Sequence, residues 1–367
     1  MIWLAFPAFV ILTVRLAVVI VNVFSRPFLK AGMPERQPGV SVLIPARNEE
    51  QALPDLLDGL LKQDYPLLEI LVYNDDSTDG TRSVVEKYAE ENPQIRLLEG
   101  GRLPEGWSGK NHACHQLSLA ALGDYFLFLD ADVKVRSDLV GKAIRYTLQK
   151  DLALLSLFPK QLMKSFGELL TVPIINWILL SLLALRLIRL SHYPSLSAAN
   201  GQFMLFRARE YRQHRFHELV KEINVEDIHI IRKVKKMGYL SQTLLSRGEV
   251  SCRMYSSFKE GIFGFTRSMF AFFGGSGITM FLFTLFSTFG LGFVWLGMSL
   301  EWAMVYLAMT VLMRILILIM SYQPVIISLF LFPLMQVSFV WIVIQAFRLR
   351  RRGTNTWKGR IIKFRGI

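Results

Sequence analysis

The sequence predicts an α/β domain with a mostly parallel, Rossmann-like sheet, joined to transmembrane helices at both ends. Three observations carry this. From Val40 to about Pro159, short β-rich runs alternate with stretches of helical spacing. Two of those runs end in acidic clusters, Asn74–Thr81 and Asp130-Ala131-Asp132. The stretches 1–24 and 278–347 are almost uncharged. Alternating βα units imply a parallel sheet covered by helices. Each apolar stretch exceeds the roughly 20 residues needed to cross a bilayer.

The elements follow in order. Residues 1–24 carry only Arg15 as a charge and lack both a basic start and a small-residue cleavage site. They read as a retained anchor, not a signal peptide. Val40–Ile44 is the first strand, and Asn48 with Gln51 three residues on resembles a capping box for the next helix. Leu53, Leu56, Leu57, Leu60 and Leu61 give that helix its apolar face. Glu69–Tyr73 is the second strand, 81–91 a helix, Ile95–Leu98 the third strand and 111–122 another helix. Tyr125–Leu129 is the fourth strand. The catalytic domain is placed at 38–260.

The stretch 169–188 is apolar enough to span a membrane. Were it to do so, the residues on either side of it could not share one site. It is therefore expected as an interfacial helix, with Arg186 and Arg189 at the headgroups. The region 278–347 divides into three spans, about 278–298, 302–320 and 325–347, followed by a basic tail, 348–367. One span before a cytosolic domain and three after it would put that tail outside, against the positive-inside tendency. One segment must then be irregular, or the Gly274–Gly277 break hides a further crossing. Arg314, in mid-span, points to the second segment as the irregular one.

The net charge is +13. Basic residues flank the apolar runs (Arg26, Lys30 and Arg36; Arg348, Arg350, Arg351 and Arg352), so the partner read from this charge is an anionic lipid bilayer and not nucleic acid. The two cysteines, Cys114 and Cys252, have no metal-type spacing, and a disulfide framework is not expected. This fits a plasma-membrane, multi-pass protein whose catalytic face is cytosolic. The histidines form no convincing ligand pattern.

Carboxylates at the carboxyl ends of buried strands mark the ligand edge of an open α/β sheet. Asp130 and Asp132, two apart on an extended run, are expected to point the same way. That arrangement suits a hard divalent cation on a diphosphate, Mg2+ or Mn2+ alike. Lys110 follows Gly109 in a loop entering a helix, a good diphosphate position.

Five motifs in order carry a resemblance. They are Ile44-Pro45-Ala46-Arg47-Asn48-Glu49-Glu50, Asn74–Thr81, Gly106-Trp107-Ser108-Gly109-Lys110, Asp130-Ala131-Asp132 and Glu226-Asp227. Together they resemble a family 2 inverting glycosyltransferase of GT-A fold, over about residues 40–260. Arg253-Met254-Tyr255 and Trp357-Lys358-Gly359-Arg360 are similar to the membrane-bound subset that includes bacterial diaponeurosporenoate glycosyltransferases. The resemblance implies a nucleotide-sugar donor, a UDP-sugar, bordered by Pro45, Arg47 and Glu49. Asp75 matches the position that reads uracil. Asn74 stands where the family often has Asp. Asp130 matches the residue that binds ribose or metal-bound water, and Asp132 the metal ligand of a DXD motif. Asp227 is the implied general base, with Glu226 orienting it. Asn200-Gly201-Gln202 resembles the acceptor-side loop. No Gln-x-x-Arg-Trp string of processive synthases occurs, so transfer of a single sugar to a lipophilic acceptor is expected: a carotenoid, another terpenoid or a glycerolipid. Two alternatives stay open, a polyprenyl-phosphate acceptor and a non-catalytic nucleotide-sugar-binding membrane protein.

Overall fold

The computed structural model describes residues 2–223, 225–352, 354–357 and 360–363. Lys358 and Gly359 of the tail motif, and the last four residues of the basic tail, lie outside the described residues. In chain order the first elements are α1 (Ile2–Ser25), β1 (Val40–Ala46), α2 (Leu53–Leu61), β2 (Glu69–Asn74), α3 (Thr81–Glu91), β3 (Ile95–Glu99), α4 (Gly109–Ala120), β4 (Tyr125–Leu129) and β5 (Val133–Val135). Then come α5 (Leu139–Lys150), β6 (Leu154–Phe158), β7 (Lys160–Gln161), α6 (Phe166–Thr171), α7 (Pro173–Leu182), α8 (Arg186–Leu190), β8 (Phe203–Arg207), α9 (Ala208–His214) and α10 (Glu226–Lys236). The last are β9 (Ser241–Leu245), β10 (Val250–Cys252), α11 (Phe258–Phe272), α12 (Gly277–Gly297), α13 (Leu300–Met320), α14 (Val325–Phe330), α15 (Phe332–Arg352), β11 (Thr354–Trp357) and β12 (Arg360–Lys363).

The chain forms two compact units, 27–160 with 186–253, and 2–26 with 161–185 and 254–363. The first holds a seven-stranded sheet in the order β3-β2-β1-β4-β8-β6-β9. β1 pairs in parallel with β2 and β4, and β2 with β3. β8 runs antiparallel between β4 and β6, while β6 and β9 pair in parallel. Strands buried on both faces read as continuous apolar runs. Tyr125–Leu129 and Leu154–Phe158 are buried throughout for this reason.

Two local expectations change. Asn48 does not cap α2, whose first turn follows Ala52 with no side-chain cap. It takes a left-handed conformation (φ 54°), and its Oδ1 accepts from Thr78 N at 2.8 Å. The side chain thus ties the loop after β1 to the loop after β2. Nor is Asp130–Asp132 an extended run. β4 ends at Leu129, and the pair lies in the turn before β5.

In the second unit, α1, α12, α13 and α15 are long and apolar enough to cross a membrane. The stretch 169–188 is not one helix. Ser165 opens α6 with a reciprocal capping box to Glu168, and α7 ends where Leu183 turns extended. The end of α1 is locked to the end of α7. Asn22 Nδ2 donates to Leu180 O (3.0 Å) and Leu183 O (2.8 Å), while its Oδ1 accepts from Leu185 N (2.8 Å). The side-chain amide thereby satisfies carbonyls that a helix end leaves open.

The irregular C-terminal segment is the third, not the second. α13 runs unbroken from Leu300 to Met320, whereas 325–347 is divided at Leu331 between α14 and α15. Arg314 is accommodated without a break. Its guanidinium carbon stands 4.3 Å from the Trp177 ring centre and 3.9 Å from that of Phe332, and Nη2 donates to Gln336 Oε1 at 3.2 Å. Arg15 stacks on the same Trp177 (5.0 Å) and on Phe283 (4.4 Å), and Nη2 donates to Ser181 Oγ at 3.1 Å. Aromatic faces thus receive both buried cations.

Candidate functional site

The first unit gathers its acidic residues at one edge of the sheet, where β1, β2 and β4 end. Asp75 follows β2 and is buried, with its N–H donating to Ala46 O at 2.8 Å. Arg47, one residue past β1, donates through Nη1 to Asp75 O at 2.7 Å and lies 3.6 Å from Asp76 Oδ2. Pro45, in β1, stands level with Tyr73. Glu49 N donates to Thr81 Oγ1 at 2.8 Å. Asn74 uses its amide where the resemblance implied an aspartate. Its amide donates to Glu99 Oε2 at 3.1 Å, a bond a carboxylate could not make, while Oδ1 accepts from Ser77 N.

Lys110 sits in the first turn of α4, whose N-cap is the Ser108 hydroxyl. Its ammonium bridges two carboxylates, Asp130 Oδ1 at 2.7 Å and Glu226 Oε1 at 3.0 Å. Burial acts to lower the Lys110 pKa, but Asp130 and Glu226 more than reverse this and hold it well above its ordinary value. Lys110 therefore stays charged at neutral pH.

Asp227 is held by the backbone rather than by Glu226. Gly201 N donates to its Oδ2 at 3.0 Å and Ile228 N to its Oδ1 at 2.8 Å. Protein packs round this carboxyl and, with Glu226 next to it, raises its pKa to about 7. Glu226 is turned toward Lys110 instead. A Cβ at Gly201 would stand 3.0 Å from both Glu226 Oε1 and Lys110 Nζ, so glycine is what leaves room for this pair. Asn200 braces the turn, its Oδ1 accepting from Gln202 N at 2.9 Å and its N–H donating to Ser156 Oγ at 2.8 Å. Asp130 N donates to Gln202 O at 3.4 Å, joining this loop to the acidic turn.

Asp132 keeps an open edge to solvent. Packing on its closed side, then Asp130 and Glu49, raise its carboxyl to about 6. The sequence did not reveal its inner neighbour, Cys252 at the end of β10, whose Sγ lies 3.7 Å from Asp132 Oδ2. Gln202 Nε2 donates to the same sulfur at 2.8 Å. Burial pushes the Cys252 thiol well up, so it remains protonated. The pairing of β10 with β5 delivers it, a contact of residues far apart in sequence that no local pattern encodes.

Among the described residues, no group of three or more His, Cys, Asp or Glu side chains forms a ready-made metal cage. The donors present suit a cation that completes its shell elsewhere. Magnesium-type ions keep one or two protein carboxylates and take phosphate oxygens and water for the rest. Asp132, crowded by Asp130 and Glu49, is a carboxylate that a cation would relieve.

Comparison with known proteins agrees with this architecture. Residues 41–209 match the family model Glycosyl transferase family 2. A 4,4'-diaponeurosporenoate glycosyltransferase of Staphylococcus aureus (strain USA300) is 37% identical over 131 residues, 35% of this chain and 34% of the relative. The chain thus matches about a third of the length of such curated relatives. Among solved structures, a mannosyltransferase of Pyrobaculum calidifontis in complex with GDP-Man and Mn2+ superposes with a TM-score of 0.56 at 17% identity, covering 94% of this chain and 99% of that one. At that identity the likeness is one of fold. Residues 41–209 are thus similar to glycosyl transferase family 2, and the fold is of the GT-A kind.

Proposed function

We propose that this chain is a membrane glycosyltransferase that moves one sugar from a nucleotide-sugar, a UDP-sugar, to a lipophilic acceptor with inversion. The observation that carries the reading is the Asp130–Lys110–Glu226 bridge with Asp227 and Asp132 on either side of it. One edge of a sheet would thereby take the nucleoside, the diphosphate and the acceptor proton. Asp75 and Arg47 would border the nucleobase, with Pro45 and Glu49 beside it. Lys110 would meet the diphosphate as negative charge develops on it, a preorganised cation at the leaving group. Asp130 and Asp132 would hold a divalent cation, Mg2+ or Mn2+, that supplies further charge neutralisation when bound.

Asp227 would take the proton of an acceptor hydroxyl. Its two backbone hydrogen bonds fix the carboxylate, and a pKa near 7 suits a base that works at neutral pH. Attack from the side opposite the diphosphate gives inversion. Asn200, Gly201 and Gln202 would line the acceptor side. The four long apolar helices support an acceptor met at a bilayer, and the catalytic unit would work at its cytosolic face.

The test is UDP release by the detergent-purified full chain with a panel of UDP-sugars and a lipid extract, with and without a divalent cation. Metal-dependent release from one sugar, abolished in Asp132→Asn, is the expected result. Release that is metal-independent and unchanged in Asp132→Asn would overturn the assignment of that residue. No release from any donor would overturn the activity.

A further inference from the structure

The direction of each long helix in the second unit can be read from its side-chain neighbours. Ala8 of α1 packs on Gly290 of α12, where a Cβ would stand 3.5 Å from its own. Arg15, further along α1, reaches Phe283, earlier in α12. The two helices are antiparallel, so the C-terminus of α1 and the N-terminus of α12 lie at one face of the bundle. α13 runs parallel to α1. Phe9 meets Trp302 and Tyr306, at ring distances of 5.7 and 6.0 Å, while Arg15 and Arg314 meet on Trp177.

α15 also runs toward that face. Gln336 Nε2 donates to Thr288 Oγ1 at 2.8 Å, Phe339 meets Phe283 at 5.8 Å, and Phe347 packs where Gly277 begins α12. Arg350 Nη1 completes the series by donating to Gly275 O at 3.0 Å. Consecutive crossings must alternate in direction, yet α13 and α15 point the same way. The link 321–331 is too short to return across a bilayer. The six residues of α14 rise ~9 Å. The other five residues span ~17 Å at full extension. Their sum falls short of the ~30 Å hydrocarbon core. α15 accordingly begins inside the bundle, with Phe332 against Arg314, less than two turns before α13 ends.

We propose that α13, α14 and α15 make one net crossing with a re-entrant turn, so that Arg348, Arg350, Arg351 and Arg352 lie on the same membrane face as the C-terminus of α1, against anionic lipid headgroups. All four arginines are exposed. A cluster of that size at a helix end fits the anionic leaflet. This arrangement removes the conflict with the positive-inside tendency that four full crossings create. It rests on the reading of these helices as membrane-spanning, and the reference positions below test that reading separately.

The experiment is labelling by an impermeant maleimide in sealed right-side-out and inverted vesicles. Single cysteines are placed at Lys30 (just past α1), Met298 (between α12 and α13) and Arg352. The native Cys114 and Cys252 are buried, and the unsubstituted chain is the control. Lys30→Cys and Arg352→Cys should label from one face and Met298→Cys from the other, with all three reactive after permeabilisation. Labelling of Arg352→Cys together with Met298→Cys would overturn the re-entrant turn. Labelling of Lys30→Cys together with Met298→Cys would overturn the membrane reading itself. For the headgroups, phosphatidylglycerol should raise the melting midpoint of the solubilised full chain more than phosphatidylcholine does. Replacing all four arginines by glutamine should erase that difference; an equal response of the native chain to both lipids would overturn the headgroup assignment.

Discussion

Lys110 and Glu226 form an ion pair of 3.0 Å that joins the first turn of α4 to the first turn of α10. Since the same ammonium holds Asp130 at 2.7 Å, one charge links the turn after β4 to the first turn of α10. Lys110→Met leaves two carboxylates, one of them buried, without their cation. The full cost of breaking a buried pair is about 3–5 kcal/mol. The partly exposed Lys110 and Asp130 reduce it to about 1–3 kcal/mol. A lower melting midpoint, with loss of UDP release, is the expected outcome. Lys110→Arg should recover the midpoint more than the turnover.

Gly201→Ala tests the space beside that pair. The new methyl would stand 3.0 Å from both charged atoms and must push them apart. Turnover is expected to fall by about tenfold or more, on the scale of a misplaced catalytic group. The melting midpoint should move much less. An unchanged rate would mean that the Lys110–Glu226 contact has no part in the reaction.

The pH profile follows from Asp227. Its carboxyl, raised to about 7, must be ionised to accept a proton. With a hydroxyl acceptor, kcat should rise about tenfold per pH unit below that value and level off above it. Asp227→Asn should abolish both the limb and most of the rate. A flat profile between pH 5 and about 8 would instead indicate an acceptor that arrives already ionised, such as a carboxylate or a phosphate. Stability carries the opposite slope. A carboxyl whose pKa is raised on folding stabilises the fold below its unfolded value, near 4, and that contribution is lost as pH rises toward 7.

In the second unit, Arg314→Leu should be neutral or stabilising. The guanidinium is held by Trp177, Phe332 and Gln336, and an apolar side chain of similar size suits the bundle. Trp177→Ala removes the ring on which both Arg15 and Arg314 stack, and should cost about 3–5 kcal/mol. Thermal melting of the two purified variants checks the contrast.

Much of this architecture was legible because it is written locally. Apolar runs closed by acids give β2 and β4, and helical leucine spacing gives α2. Asp227, Lys110 and Asp130 were recognisable from motifs, yet their mutual arrangement was not. Lys110 and Glu226 are brought together by separate helices. Glu226 faces Lys110, while the Asp227 carboxylate accepts from the backbone of Gly201 and Ile228. Cys252 was invisible as a neighbour of Asp132 because only strand pairing places it there. Arg314 misled for a physical reason. A charge in an apolar span signals irregularity when it is unaccompanied, but here Trp177, Phe332 and Gln336 receive it.

β8 has a consequence for biosynthesis. It lies between β4 and β6, both of which leave the ribosome before it, and it runs against each of them. The nascent sheet therefore remains in two pieces, with facing edges of β4 and β6 unpaired, until Phe203–Arg207 has been made. Non-local pairing of this kind is slow, and exposed strand edges invite wrong partners. The chain must pass through a stage in which its first long apolar helix and the residues Lys110, Asp130 and Asp132 exist but the sheet cannot close. A ribosome stalled within 160–200 would display an aggregation-prone half-sheet, which makes this interval the vulnerable window of the protein's synthesis.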